Sequence, residues 1–223
     1  LVVLLINLNP ELVIPILLII TALLLYNNFV VHKGRHNKAV EEDRLTKTES
    51  SSVQGVIVES AKNIANVVKR TNQIYENAVG GLATQKLSAL KKSKKQVVKL
   101  TEEVDDLRDN IFFFIKNLDE SSVEASGFYI NILGYLQDIT QSLELISKIS
   151  YKHVNNNHKK LKFNQVKELR EIYDKLEILF SDTQNAFNSG SFEEIGKIIN
   201  EKKVVYDLVK EKIKSQVNRT RTE

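Results

Sequence analysis

The sequence predicts an all-α protein, a transmembrane helix followed by an elongated antiparallel helical bundle. Residues 12–31 form an uncharged run of 20 residues, and at 1.5 Å per residue such a run spans a hydrocarbon core of ~30 Å. Both prolines lie within the first 15 residues, so no proline interrupts the rest of the chain. Beyond residue 52, apolar residues recur at helical spacing, and no sustained period-2 alternation indicates a strand.

The residues after the apolar run orient it in a membrane. Five basic or titratable residues follow at once: His32, Lys33, Arg35, His36 and Lys38. Lys and Arg beside a span favour its cytoplasmic end, whereas a signal sequence carries its basic residues before the apolar stretch. We therefore expect a multi-pass protein of the inner (plasma) membrane whose C-terminal domain lies in the cytoplasm.

Three segments follow from this pattern. Residues 1–31 are predicted to end a transmembrane region whose last span is about 12–31. An earlier apolar run precedes it, and Asn9-Pro10 marks a turn between the two. Residues 32–52 are a basic and polar juxtamembrane linker, and residues 53–223 are the cytoplasmic bundle.

Apolar spacing and turn residues divide the bundle into five helices. Their predicted bounds are about 53–79, 84–118, 121–153, 164–188 and 191–217. Gly80-Gly81 is expected to end the first helix and Gly190 the fourth, since glycine tolerates the left-handed cap conformation. Ser121 with Glu124, and Ser191 with Glu194, have the spacing of a capping box and predict the starts of the third and fifth helices.

The clearest periodic pattern lies in the second helix. Its apolar residues step by three and four, as in a heptad seam: Val97, Leu100, Val104, Leu107, Ile111, Phe114 and Leu118. The fourth helix has a similar pattern. The core face of the fifth is predicted to be Ile195, Ile198, Val205, Leu208 and Ile213, and residues 218–223 are expected to fray.

Composition excludes several function classes. The net charge of +4 is modest and mixed, which suits a domain near an anionic lipid surface. There is no basic stripe with interleaved aromatics, so no nucleic-acid partner is expected. The chain has no Cys and thus no disulfide or thiolate metal site. It also lacks a phosphate-binding loop, a nucleophile elbow and a His-Glu-x-x-His pair, so we expect no enzyme.

An acidic patch on the second helix is a candidate metal site. Its members are Glu102, Asp105, Asp106 and Asp109. Spacings of three and four place carboxylates on one helix face, where a divalent cation could bridge them and relieve their repulsion. A solvated outer face is the alternative, because these residues lie off the Val104/Leu107 seam and are diluted by Lys99 and Arg108. No other cofactor is expected.

A polar cluster on the third helix is a second candidate site. It consists of Tyr135, Asp138, Ser142, His153, Asn156 and His158, which lie unusually close to the core seam. They predict either a phosphate or metal contact near the corner of the third and fourth helices, or polar residues that fix helix register through hydrogen bonds.

The same region resembles a known family. The segments Tyr135-Leu136-Gln137-Asp138, Ser142-Leu143 and 153–158 (His-Val-Asn-Asn-Asn-His) are similar to the PhoU-like domain that follows the membrane part of some bacterial PiT-family inorganic phosphate transporters. The terminal span and the charged linker match that architecture. The resemblance covers roughly residues 50–220, and its specific part is the third helix.

The resemblance implies a sodium- or proton-coupled phosphate symporter whose cytoplasmic bundle is regulatory. It also implies metal binding through E/D-x-x-x-D motifs, which Glu102-x-x-x-Asp106 and Asp105-x-x-x-Asp109 match in spacing. The expected partners are an upstream transmembrane transport domain, the lipid bilayer, inorganic phosphate and a coupling cation. A homodimer stays open. The alternative function is a membrane-anchored coiled-coil signalling or structural protein, which the heptads suggest.

Overall fold

The computed structural model describes residues 44–47 and 52–222. The chain divides into two compact units, Leu1–Arg44 and Leu45–Glu223, and the described helices all belong to the second. The predicted span at residues 12–31 lies outside the described residues. Among the helices of 52–222, none is long and apolar enough to cross a membrane.

The described part is a helical bundle, which confirms the predicted fold class. Its α-helices are α1 Val53–Ala83, α2 Leu87–Asp109, α3 Ile111–Lys116, α4 Val123–Asn155, α5 Phe163–Ser189 and α6 Ile195–Thr222. A short 3-10 helix, Glu120–Ser122, precedes α4. Five of these helices are long, as predicted, and α3 is a short helix of six residues after α2.

The core lies between α1, α2 and α4, which all pack against one another. The predicted seam of α2 is confirmed, since Val97, Leu100, Val104 and Leu107 are all buried. Helix α5 packs against α1, and α6 packs against α5. No residue of α5 is fully buried, so the α5–α6 hairpin forms an outer layer on the three-helix core.

The prediction that Gly80-Gly81 ends the first helix was wrong, because α1 continues to Ala83. The turn that follows is made by Gln85, which has a positive φ of 56°. Gly81 instead permits close approach of α2, since a Cβ added there would lie 2.9 Å from the Leu90 side chain. Glycine at this position allows the α1–α2 hairpin to close tightly.

The predicted second helix is broken, and the third begins later than expected. At Asn110 the side-chain amide donates to the Asp106 carbonyl at 2.5 Å, a local bond that competes with regular helix. The seam nevertheless continues through Phe114, which is buried and meets Tyr129 edge to face. The residue that precedes α4 is Ser122, so the cap predicted at Ser121 was one residue early.

The end of the chain differs most from prediction. Gly190 closes α5 with φ 65°, as predicted. However, α6 starts at Ile195, and the Ser191 backbone N–H donates to the Ser189 hydroxyl in place of the predicted capping box. Of the predicted core face of α6, Val205 is buried whereas Ile195 and Ile213 are exposed. Residues 218–222 remain helical.

Candidate functional site

The structure places the acidic patch on the outer surface of α2. Glu102, Asp106 and Asp109 are exposed and Asp105 is half-buried. Arg108 contacts two of these carboxylates, at 2.9 Å from Asp109 and 3.7 Å from Asp105. These contacts raise the pKa of the Arg108 guanidinium. The positive charge of Arg108 thus partly neutralises the acidic patch.

Asp105 of the acidic patch also has a partner on a neighbouring helix. Asp105 accepts a hydrogen bond at 3.0 Å from the Gln137 amide of α4, which ties the patch to the neighbouring helix. Within the described residues no three Asp, Glu or His side chains are grouped so that they could hold a metal ion. Metal binding by Glu102, Asp105, Asp106 and Asp109 stays a prediction.

The predicted polar cluster separates into two groups along α4. Tyr135, Asp138 and Ser142 are exposed on the helix surface, and the Ser142 hydroxyl donates to the Asp138 backbone carbonyl at 2.8 Å. His153 follows Asp138 by 15 residues, about 22 Å along the helix. The two groups therefore do not form one site.

The second group closes the turn after α4. The His153 ring Nε2 lies 2.9 Å from the Lys159 carbonyl, and the His153 and His158 rings lie 5.4 Å apart. Asn156 follows the helix, and Asn157 has a positive φ of 54°, which asparagine tolerates better than most residues. These contacts fix the α4–α5 corner, in agreement with the structural alternative.

The most fully built polar site was missed by sequence reasoning. Residues 45–47, which we call the strap, pack against the side of α1, and Leu45 is buried. Asn63, fully buried in α1, donates from its amide to the Thr46 carbonyl at 3.1 Å. Its carbonyl oxygen accepts from the Thr46 backbone N–H at 3.2 Å and from the Thr46 hydroxyl at 3.1 Å. One side chain thus satisfies both backbone groups of one strap residue.

The strap also reaches α2 through a buried ion pair. Arg70 of α1 and Glu103 of α2 are each 8 % exposed, and their closest atoms, Nη1 and Oε2, are 2.5 Å apart. The Leu45 backbone N–H donates to the same carboxylate oxygen at 3.4 Å. Lys99 lies at 4.0 Å from the other oxygen. The strap therefore contacts α1 through Asn63 and α2 through Glu103.

A signal for this site is present in the sequence. The buried face of α1 steps by three and four through apolar and polar residues alike: Val56, Ser60, Asn63, Val67, Arg70 and Ile74. A neighbouring row of apolar residues on α1 also has helical spacing, and of its members Ile64 and Val68 are buried whereas Val53 and Ile57 are exposed. Polar side chains in heptad register with core residues were the available sign that α1 holds buried hydrogen-bonding partners.

Two tyrosines join α5 to the core. Tyr75 of α1 and Tyr173 of α5 stack with ring centroids 6.1 Å apart. Burial raises the pKa of both phenols, and burial together with the nearby carboxylates of Glu76 and Glu177 raises the pKa of Tyr173 to about 12. Both phenols stay neutral at physiological pH, so this contact is a structural one.

Comparison of the chain with protein-family models, with curated proteins and with solved structures gave no match.

Proposed function

We propose that the chain is the C-terminal part of an ion-coupled inorganic phosphate transporter, and that its helical bundle is a regulatory PhoU-like module. The apolar run at 12–31, the basic residues after it and the resemblance within α4 support the family. The absence of catalytic motifs from the sequence supports a regulatory and not an enzymatic role. The transport site would lie in an upstream membrane domain.

The observation that carries the regulatory part is the strap. It lies within the predicted linker, residues 32–52, and it is held by Asn63 of α1 and Glu103 of α2. A relative movement of these two helices would break one contact or the other. A ligand that favours one arrangement of the bundle would therefore change how the strap is held, and the strap would pass that change to the rest of the linker.

The heptad seam of α2 offers less support for the alternative of a coiled-coil signalling protein. Val97, Leu100 and Val104 are buried within the bundle of a single chain, so this seam is not available to a second copy. We therefore do not propose a receptor-type coiled coil.

Phosphate uptake tests the proposed function. Labelled phosphate transport is measured in cells that depend on the natural full-length protein, with and without residues 53–223, at low and high external phosphate. We expect the deletion to change the rate of uptake or its dependence on phosphate supply. Equal uptake in every phosphate regime, with equal amounts of protein in the membrane, would count against a regulatory bundle.

A further inference from the structure

Helix α6 presents an apolar stripe to solvent beside its contact with α5, and one member of the stripe, Ile213, also lines the groove between the two helices. Five residues form it: Ile195, Ile199, Tyr206, Ile213 and Val217. Each is between 47 % and 61 % exposed. At about 100° per residue, all five lie within about 20° of the direction of Tyr206, and they extend over about 33 Å of helix. A single exposed apolar residue is ordinary, but an aligned row of this length indicates an interaction face.

The charged residues that flank the stripe are all basic. Within about 80° of its centre lie Lys202, Lys203, Lys210, Lys214 and Arg221. All five are exposed. The acidic residues of α6 lie at larger angles, toward α5 or the far side. Lys210 also lies over the Tyr206 ring, with its Nζ 5.1 Å from the centroid, so charge and apolar surface are continuous.

The cations on the other side of α6 are used differently. Lys197, Lys212 and Arg219 pair with carboxylates of α5 at 2.7, 3.0 and 2.6 Å. Among the described residues, none of the five cations that flank the stripe takes part in an ion pair. The α5–α6 contact thus neutralises one side of the helix, whereas the side with the apolar stripe and the five cations has no ion-pair partner within residues 44–47 and 52–222.

We propose that this stripe docks on an anionic lipid surface, with α6 lying in the plane of the interface. Helices that bind in this way carry Lys and Arg beside an apolar face that enters the boundary between headgroups and acyl chains. Long Lys side chains can place their stems on apolar surface while their ammonium groups reach lipid phosphates. A central Tyr fits the same interface, because its ring is apolar and its hydroxyl polar.

The stripe is poorly suited to a partner helix. A coiled-coil seam needs apolar residues at both the a and d positions. With Ile199, Tyr206 and Ile213 at a, the d positions of α6 are Ile195, Lys202, Val209 and Gln216. Two of these four are polar, and Val209 is half-buried on the side of α5, so no continuous apolar d row accompanies the a row. The five cations have no ion-pair partner in the part of the chain that the structure describes, and the acidic residue of α6 nearest to the stripe, Asp207, lies about 100° from its centre. This charge pattern favours a uniformly anionic surface.

A single fluorescent label tests this docking, because the chain has no native Cys. The full chain with Ile199→Cys is labelled with an environment-sensitive dye and incorporated into, or mixed with, vesicles of phosphatidylcholine alone or with phosphatidylserine. The matched control is Glu211→Cys, an exposed position about 140° from the stripe. We expect a blue shift and protection from an aqueous quencher at position 199 only, in anionic vesicles only, and reversed by high salt.

Charge variants complete the test. Lys203→Gln with Lys210→Gln removes two charges beside the stripe, and Lys91→Gln with Lys92→Gln removes two exposed charges from α2. At about fivefold per lysine, the first pair should weaken docking about 25-fold and the second should leave it unchanged. The proposal fails if the label at 199 stays exposed to the quencher with anionic lipid. It also fails if the label is protected without lipid or equally in both vesicle types, which would mean that protein covers the stripe.

Discussion

The buried ion pair between α1 and α2 gives the sharpest stability prediction. Glu103→Gln keeps the shape of the side chain and removes its charge, which leaves the Arg70 guanidinium buried without its carboxylate at 2.5 Å. Breaking a buried pair by removing one partner typically costs about 3–5 kcal/mol. Because the free energy of unfolding of a domain is about 5–15 kcal/mol, we expect a large fraction of the stability to be lost.

The second carboxylate oxygen adds to this cost. Oε2 accepts from Arg70 Nη1 and from the Leu45 backbone N–H, and the one oxygen of a glutamine amide can keep both bonds. Oε1 accepts from Arg70 Nη2 at 3.4 Å, and in glutamine an NH2 donor would face the guanidinium there. Arg70→Met is expected to cost less than Glu103→Gln, because Lys99 stays 4.0 Å from the Glu103 carboxylate and can move closer. Combining Arg70→Met with Glu103→Gln removes both buried charges and should cost less than the sum of the single changes.

The assay is urea unfolding followed by far-ultraviolet circular dichroism, since the chain has no Trp to report by fluorescence. The four proteins of the double-mutant cycle are compared at one pH and salt concentration. A loss below about 1 kcal/mol for Glu103→Gln, in the range of an exposed pair, would refute the reasoning. Strict additivity of the two single changes would refute it as well, since contacting residues are expected to couple.

Further predictions concern the hairpin, the tyrosine pair and the acidic patch. Gly81→Ala should lower the free energy of unfolding by about 1–3 kcal/mol because its Cβ would meet Leu90 at 2.9 Å, whereas the matched Gly80→Ala, with open space, should be neutral or stabilising in thermal unfolding. Tyr173, with a pKa raised to about 12, should ionise later than a free phenol in an ultraviolet absorbance titration. Its contribution to stability should be constant below pH 10 and fall as the pH rises toward 12, because the unfolded phenol ionises first. The late ionisation step should be missing from the titration of Tyr173→Phe, and its persistence there would contradict this. Arg108→Gln removes the cation that pairs with two carboxylates of the patch, so calorimetry should detect tighter binding of a divalent cation than in the natural chain, and unchanged binding would argue that the patch is only a solvated face.

Much of the helical architecture was predictable because helix periodicity and turn residues are local signals. The seam from Val97 to Leu107 is buried as its spacing predicts, and Gly190 adopts the left-handed conformation that glycine favours at a helix end. The errors arose where packing overrides local preference. Gly81 is a contact point for Leu90 and not a terminator, which only the position of α2 determines.

The candidate site was harder to predict, because it joins residues far apart in sequence. Thr46 meets Asn63, and Leu45 meets Glu103 across 58 positions. No local pattern links these residues. Glu103 is one of several acidic residues in α2, and a charged residue in such a helix is normally expected at the surface. Likewise, Ile195 and Ile213 are exposed because of where α5 lies against α6. The periodicity of a sequence predicts an apolar face, but it does not predict which element covers that face.

The strap is also the place where stability and proposed function can be separated. Asn63→Ala removes three hydrogen bonds to Thr46, at about 1 kcal/mol each, without touching the ion pair. We expect faster amide exchange and faster tryptic cleavage near Lys47, with little loss of helix. Asn77→Ala, which alters an asparagine further along α1 that does not contact the strap, serves as the control.

Phosphate uptake by the natural full-length protein carrying Asn63→Ala tests the central claim most directly. If the bundle regulates transport through the strap, uptake in this variant should lose its dependence on phosphate supply, while Asn77→Ala keeps the natural response. The account would be contradicted if hydrogen exchange shows residues 45–47 released in Asn63→Ala and uptake still responds to phosphate as in the natural protein.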